Sequence, residues 1–310
     1  MYQNEPFIQE YTYNNDTGDA RAVVYRLFSG VEVAFTAVHM ADFDFSLLEQ
    51  GDRKNYLTIH YCSEGRIEQE VNNEFFYLMP GDCSFALQDR PQKMFQLPLK
   101  HYHGITIGID LDQTQNPLMT YLESCGCSPR QALAHICGGM SHIVLRSSTA
   151  AKRFFGDLYE AEPRQRLDHL RMKMPELFYR MQYAKTDSSY YDRDLVPRTQ
   201  VELVKAVSDY IAQNLNGKIT LKELTAIFGV SDTYLQNAFR RVYGMPVISF
   251  IRTQKMQSAA QVLIHTSRTI DEIAEEFGYE NESKFSAAFK KIMGDAPGLY
   301  RKEHTKVKII

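Results

Sequence analysis

The chain has 310 residues, 44% of them hydrophobic and 24% charged, with a formal net charge of −3. That composition excludes a disordered or low-complexity chain, and the length predicts two domains, each able to bury its own core. No apolar run reaches the length of about 18 residues that a membrane helix needs, so no membrane span or membrane partner is expected.

Residues 1–20 are polar, rich in Asn, Asp and Tyr, and read as a loose arm without a secretory leader. Short segments rich in Val, Ile, Phe and Tyr follow: Val31–Met40, Tyr56–Cys62, Arg66–Val71, Phe75–Leu78, Cys83–Leu87 and Gly104–Ile109. Turn residues punctuate them at Glu64-Gly65, Asn72-Asn73, Pro80-Gly81-Asp82 and Arg90-Pro91. Such a series predicts an antiparallel sandwich or barrel.

From Asn116 the pattern turns helical. Asn116–Ser124, Pro129–Cys137, Thr149–Ala161 and Arg164–Ala184 read as helices, and His142–Arg146 as a strand. Pro175 is expected to kink or divide the last helix. Its apolar stripe of Leu167, Leu170, Met174, Leu177, Phe178 and Met181 has two readings, a core face or a dimer interface. Residues 185–198 read as a linker, and Val201–Leu215 as the first helix of a second domain.

The rest of the chain says the same thing twice. Thr220-Leu-Lys-Glu223 and Thr269-Ile-Asp-Glu272 are both capping boxes, in which Thr accepts a backbone N–H and Glu reaches back to the Thr amide. Apolar residues then recur on one helical face, at Leu221, Leu224 and Phe228 and at Ile270, Ile273 and Phe277, before Gly229 and Gly278. Second helices begin at the N-cap residues Ser231 and Asn281 and end at Gly244 and Gly294. Their apolar faces are Leu235, Ala238, Phe239 and Val242, and Phe285, Ala288, Phe289 and Ile292. Two helices joined by a tight Gly-containing turn follow the helix-turn-helix plan. A helix from Pro246 to about His265 joins the copies, its broken apolar stripe carried by Ile248, Ile251, Ala259, Val262 and Leu263.

Charge is distributed unevenly. From Val196 onward there are 16 Lys+Arg against 12 Asp+Glu, a net of +4, and the preceding residues carry 19 against 26, a net of −7. The C-terminal part is the basic one, as phosphate binding requires. Five cysteines at irregular spacing predict reduced thiols and a cytoplasmic protein.

The run Ile270-x-x-Ile273-Ala274-x-x-x-Gly278-Tyr279-x-Asn281-x-Ser283-x-Phe285-Ser286-x-x-Phe289-Lys290-Lys291-x-x-Gly294-x-x-Pro297-x-x-Tyr300-Arg301 resembles the signature of the AraC/XylS family of bacterial transcription regulators. The order Tyr61-Cys-Ser-Glu-Gly65 and then Phe76-Tyr-Leu-Met-Pro80-Gly81-Asp82 is similar to that family's cupin-like sensor domain. The resemblance implies an α+β multidomain chain. Residues 1–184 would form a cupin-like β-barrel with flanking helices, for ligand sensing and dimerisation. Residues 199–303 would form an all-α seven-helix DNA-binding domain with two helix-turn-helix units. Where the family usually carries Arg two residues after each recognition helix's apolar anchor, this chain has Asn237 and Ala287, and Lys255 stands for the family's Arg in the connecting helix.

In the first copy the candidate DNA-binding residues are Ser231, Thr233, Tyr234, Gln236, Asn237, Arg240 and Arg241. In the second they are Asn281, Glu282, Ser283, Lys284, Ser286, Ala287, Lys290 and Lys291. Gln and Asn pair bidentately with adenine, and Arg or Lys with guanine or phosphate. Arg252, Lys255 and Lys291 are candidates for phosphate contact, which positions the protein without specifying sequence. Ala287 offers only an apolar contact, so the first copy is expected to carry more of the reading.

A barrel interior is a plausible small-molecule pocket, with His60, Tyr61, Phe85, His101 and His103 as its candidates by position. The His101-x-His103 pair raises the question of a metal. A cupin metal site would place Glu where Ile107 and Gly108 stand, so no metal or other cofactor is expected there, nor at Cys125-x-Cys127 with His135. The expected protein is no enzyme but a sequence-specific regulator of promoter DNA, with a small-molecule effector, RNA polymerase contact and a homodimer through helices within 149–184. A metal-dependent cupin enzyme with a DNA-binding appendage is the alternative.

Overall fold

The computed structural model describes residues 7–16, 18–40, 55–71, 74–88, 96–112, 117–137, 142–184, 195–217 and 219–305, with side-chain surroundings through residue 302. The expected turns at Asn72-Asn73 and Arg90-Pro91, and residues 185–194 of the expected linker, lie outside them. The chain divides into two compact units, Met1–Leu195 and Val196–Ile310.

The first unit is built on an antiparallel sheet. Its strands are β1 (Ile8–Asn15), β2 (Gly18–Phe28), β3 (Val31–His39), β4 (Tyr56–Gly65), β7 (Cys83–Gln88), β8 (Tyr102–Asp110) and β9 (His142–Leu145), and β5 (Ile67–Val71) and β6 (Glu74–Leu78) form a separate hairpin. The sheet order is β1-β2-β3-β8-β4-β7-β9. It is open: β1 and β9 are its two edges, and the expected closed barrel is not formed. Apolar side chains cover both faces, which makes closure unnecessary for burial. One face, with Ile59, Ile105, Ile107 and Tyr25, packs against α1 (Pro117–Ser124), α2 (Pro129–Cys137), α3 (Thr149–Glu160) and α4 (Arg166–Gln182). The other, with Val38, Cys62 and Tyr102, packs against Ile67, Phe76 and Leu78 of the hairpin.

The N-terminal residues are not a loose arm throughout. β1 pairs with β2 from Ile8↔Tyr25 to Asn15↔Gly18. All of its side chains but Gln9 are exposed, so β1 has no alternating pattern to betray it; its backbone is held by the ladder.

α4 continues through Pro175 without dividing. Leu170, Met174, Leu177, Phe178 and Met181 are buried in the unit's own core, so that stripe is a core face and not a dimer interface. The five cysteines are free thiols.

The Pro80-Gly81-Asp82 turn does more than reverse the chain. Asp82, only 1% exposed, accepts from the backbone N–H groups of Met79 and Ser147 and from Arg146, whose Nη1 lies 2.7 Å from Oδ2. That guanidinium also donates to the Tyr77 carbonyl at 2.6 Å. The pair thereby ties the β6–β7 turn to the end of β9.

The second unit is helical: α5 (Arg198–Gln213), α6 (Leu221–Phe228), α7 (Asp232–Tyr243), α8 (Val247–His265), α9 (Ile270–Glu276), α10 (Glu282–Met293) and α11 (Pro297–Thr305). Both capping boxes form as expected, at Thr220 with Glu223 and at Thr269 with Glu272. Gly229, Gly244, Gly278 and Gly294 all adopt positive φ, a backbone conformation that glycine enters readily because it has no Cβ. Phe239, Tyr243 and Phe250 pack the first pair onto α8, and Phe277, Phe285 and Phe289 pack the second onto Met256, Ala259, Ala260 and Leu263. Ile248 departs from the expected stripe and is exposed; Val247 and Phe250 take the buried positions. Arg301 donates to the Leu263 and Arg268 carbonyls, satisfying an acceptor in the last turn of α8, and Tyr300 packs edge-on against Phe289. The Tyr-Arg end of the sequence signature therefore has a structural task.

Candidate nucleic-acid interface

α7 and α10 each bury one face and expose the other. Leu235, Ala238, Phe239 and Val242 anchor α7 with no exposure, and Phe285 and Phe289 anchor α10. Ser231 accepts from the Tyr234 amide and Asn281 from the Lys284 amide, so these two residues fix the helix starts. Their side-chain acceptors are already engaged in that role.

Thr233, Tyr234, Asn237 and Arg240 are exposed on α7. Together with Ser231, Gln200 and Arg241 they line a shallow concave surface. Asn237 Oδ1 accepts from Arg240 Nη1 at 3.3 Å, which places an amide and a guanidinium side by side on the exposed face. On α10, Glu282, Ser283, Lys284, Ala287, Lys290 and Lys291 are exposed and Ser286 is half-buried. Lys284 pairs with Glu280 one turn before it. Arg252 is exposed on α8.

Three of the sequence-selected residues are turned to other work. Gln236 is half-buried, and its Oε1 accepts from the Val247 amide at 3.3 Å. Pro246, the N-cap of α8, supplies no side-chain cap, so Gln236 satisfies one of the orphan donors at that terminus. Lys255 Nζ donates to the Gly217 carbonyl at 2.9 Å and the Phe277 carbonyl at 2.8 Å, a cation held at the C-terminal end of α9. Burial pushes its ammonium below the ordinary lysine range. Arg241 is half-buried and donates to Gln200 Oε1 at 3.0 Å. Sequence alone assigned these three to the solvent face because long polar side chains at the margin of an apolar stripe reach either way.

The residues selected for a pocket in the first unit do not converge. His60 is buried, with Nδ1 3.0 Å from Thr106 Oγ1, and burial pushes its imidazole down to about 4. Tyr61 stacks on Phe155 at a centroid distance of 4.4 Å. Phe85 alone of the five lines a cavity of about 430 Å³, whose walls include Ile136, Leu145, Phe154, Phe155 and Leu177. That cavity lies between the sheet and the helices, where helical positions not selected by sequence supply most of its lining. His101 and His103 stand instead at the start of β8. Cys125 is exposed while His135 Nε2 is bound to the Ala184 carbonyl at 2.8 Å.

The arrangement of α5–α11 defines a class, a helical domain with two capped helix pairs around a central helix. A model of the helix-turn-helix domain family matches residues 224–303. The F1 operon positive regulatory protein of Yersinia pestis is 37% identical over 99 residues, covering 32% of this chain and 33% of that protein. The transposon Tn10 TetD protein of Escherichia coli is 31% identical over 100 residues, covering 32% of this chain and 72% of that protein. A solved structure of a probable AraC family transcriptional regulator from Rhodopseudomonas palustris is 27% identical, covers 33% of this chain and 97% of its own, and has a TM-score of 0.31. The chain spans about a third of the length of the Yersinia relative. It belongs to the AraC family and carries the AraC-type domain at its C-terminus.

Proposed function

We propose that this chain is a transcription regulator that binds double-stranded promoter DNA through residues 199–303. The observation that carries the reading is the repetition: two capped helix pairs, each exposing one polar face of its second helix, within a matched helix-turn-helix domain. In this reading α6–α7 and α9–α10 are two helix-turn-helix units. α8, about 28 Å long at 1.5 Å per residue, holds them near the spacing of successive major grooves. Thr233, Asn237 and Arg240 are the first copy's base readers, and Lys290, Lys291 and Arg252 hold phosphates.

Control by a small molecule belongs to the same reading. The cavity beside Phe85 and Phe155, apolar and of ligand size, supports it better than a pocket inside a barrel. A homodimer through α3 and α4 would use the exposed Met172, Tyr179 and Tyr183, which share one side of α4, since the other stripe is consumed in the core. Contact with RNA polymerase and a cytoplasmic location complete the proposal; among the described residues no helix is long and apolar enough to cross a membrane.

The test is selection of a randomised duplex pool by the full chain, followed by titration of the winner at two salt concentrations. Enrichment of one sequence, bound with a steep loss of affinity in higher salt, is expected. Recovery of no preferred sequence would sink the reading.

A further inference from the structure

We propose that His39, His101 and His103 form a binding site for a divalent transition-metal ion of the Zn²⁺ type at one end of the first unit's sheet. In the sequence His39 stands apart from the His101-x-His103 pair, more than sixty positions earlier. The fold removes that separation. Ala37 pairs with His103 and Val38 with Tyr102, so the next step along the ladder sets His39 opposite His101. The two rings stack with centroids 5.0 Å apart, and His103 Nε2 lies 2.8 Å from His39 Nε2. One potential ligand atom from each of the three residues lies within 4.8 Å of the others.

The surroundings suit coordination in two ways. First, carboxylates lie beside the rings. Glu64 Oε2 is 3.3 Å from His103 Nδ1 and 3.4 Å from His101 Nε2, and Asp19 Oδ2 is 3.8 Å from His39 Nδ1. A carboxylate on the outer nitrogen of a ligating histidine fixes its tautomer and raises its basicity, and Glu64 is the one near enough to take that place on His103. Second, the backbone beneath the site leaves little play. A Cβ on Gly65 would lie 2.0 Å from the His101 carbonyl oxygen, and one on Gly18 would lie 1.9 Å from that of His39.

Metal–nitrogen bonds of about 2.0–2.1 Å in tetrahedral geometry separate the nitrogens by about 3.3 Å. The His39–His103 contact must therefore open by about half an ångström. His39 is exposed and can turn to supply that movement, and its exposure gives the ion a route in. Three nitrogens leave a fourth position for water. Imidazole ligands select Zn²⁺, Co²⁺ or Ni²⁺ over Ca²⁺ or Mg²⁺. The inference is independent of the DNA-binding reading, since it uses the first unit alone.

The experiment uses the full chain without an affinity tag, loaded with Zn²⁺ and separately with Co²⁺. One tightly held Zn²⁺ per chain is expected after gel filtration, with a rise in Tm. The Co²⁺ form should show visible bands of low-coordinate nitrogen ligation and no thiolate charge-transfer band. His39→Ala and His103→Ala should abolish the bound equivalent, and Glu64→Gln should weaken it about 10–100-fold. An absence of stoichiometric Zn²⁺, its retention in His39→Ala, or a thiolate band pointing to Cys125 or Cys127 would each overturn the proposal. If the alanine variants fail to fold, the Co²⁺ spectrum of the unmodified chain still decides between nitrogen and sulfur ligation.

Discussion

Asn237 and Lys291 are both exposed and polar, yet they offer different chemistry. Asn237 presents an amide, which can pair bidentately with one base edge; Lys291 presents a point charge, which phosphate attracts whatever the base. Asn237→Ala is therefore expected to cost about 1–3 kcal/mol on the preferred site and to relax selectivity at one or two base pairs. Lys291→Ala should weaken all sequences about equally and reduce the salt slope by about one. Titration of each variant against single-base variants of the selected site separates them, and the assignment fails if their effects are exchanged. Gln236 is the contrasting neighbour. With its Oε1 on the Val247 amide, Gln236→Ala should lower the unfolding free energy by about 1 kcal/mol and leave base preference alone. Asn237 could be placed from the period of the Leu235–Phe239 face. The tertiary partner of Gln236 could not, because it lies eleven residues away across a turn. His60 supplies a separate check in the first unit. Its folded value of about 4 lies below the ordinary 6.5, so its neutral form stabilises the fold above pH 6.5. That stability is lost as pH falls from 6.5 towards 4, by about 3 kcal/mol for this group. The imidazole resonance of His60, followed by NMR, should titrate near 4; a midpoint at 6 or above would refute its burial as a neutral ring.

The helical elements were legible because their signals are local. A capping box, a 3.6-residue apolar period and a terminal Gly all fall within about a dozen residues, and both copies carry them. Thr220→Ala removes the acceptor for the Glu223 amide and should cost about 0.5–2 kcal/mol of unfolding free energy, read from a denaturant titration. An unchanged midpoint would mean that the packing of Leu224 alone holds α6. The strands were less legible. β2 opens with Gly18, Asp19, Ala20, Arg21 and Ala22, a small and charged stretch that hides its start, and Arg26 interrupts the apolar run that follows. Openness of the sheet was also hidden, because strand sequences do not say whether the first and last of them meet. The Asp82–Arg146 pair shows the same limit. Pro80-Gly81-Asp82 was recognisable as a turn, but the partner of Asp82 comes from just past the end of β9, 64 positions later. Asp82→Ala strips a half-buried guanidinium and two backbone donors of their acceptor, and should destabilise the first unit by about 3 kcal/mol. Hydrogen exchange at the β7 and β9 amides would locate the loss.

At the scale of the whole chain the division at Leu195/Val196 makes a prediction about autonomy. Every stabilising feature named for the second unit closes within it. The capping boxes, the Gln236 bond to α8, the Lys255 bonds to Gly217 and Phe277, and the Arg301 bonds to Leu263 and Arg268 all join residues from 198 onward. Its aromatic contacts do the same, from Phe239 with Phe250 to Phe289 with Tyr300. A fragment of residues 196–310 should therefore fold alone, with a cooperative transition and helical circular dichroism. It carries a net charge of +4, so it should also bind the selected duplex in a salt-dependent way. Two outcomes fail in different places. An unfolded fragment would mean that the second unit draws stability from residues before 196. A folded fragment that ignores DNA would leave the boundary intact and remove the role proposed for the exposed faces of α7 and α10. The affinity ratio of fragment to full chain then measures what the first unit contributes. If the chain works as a dimer on paired sites, the fragment should bind the full site much more weakly than the chain does, while keeping the same base preferences in each half. Equal affinity would mean that the first unit adds neither a second copy nor a constraint on the first, and the dimer through α3 and α4 would fall with it.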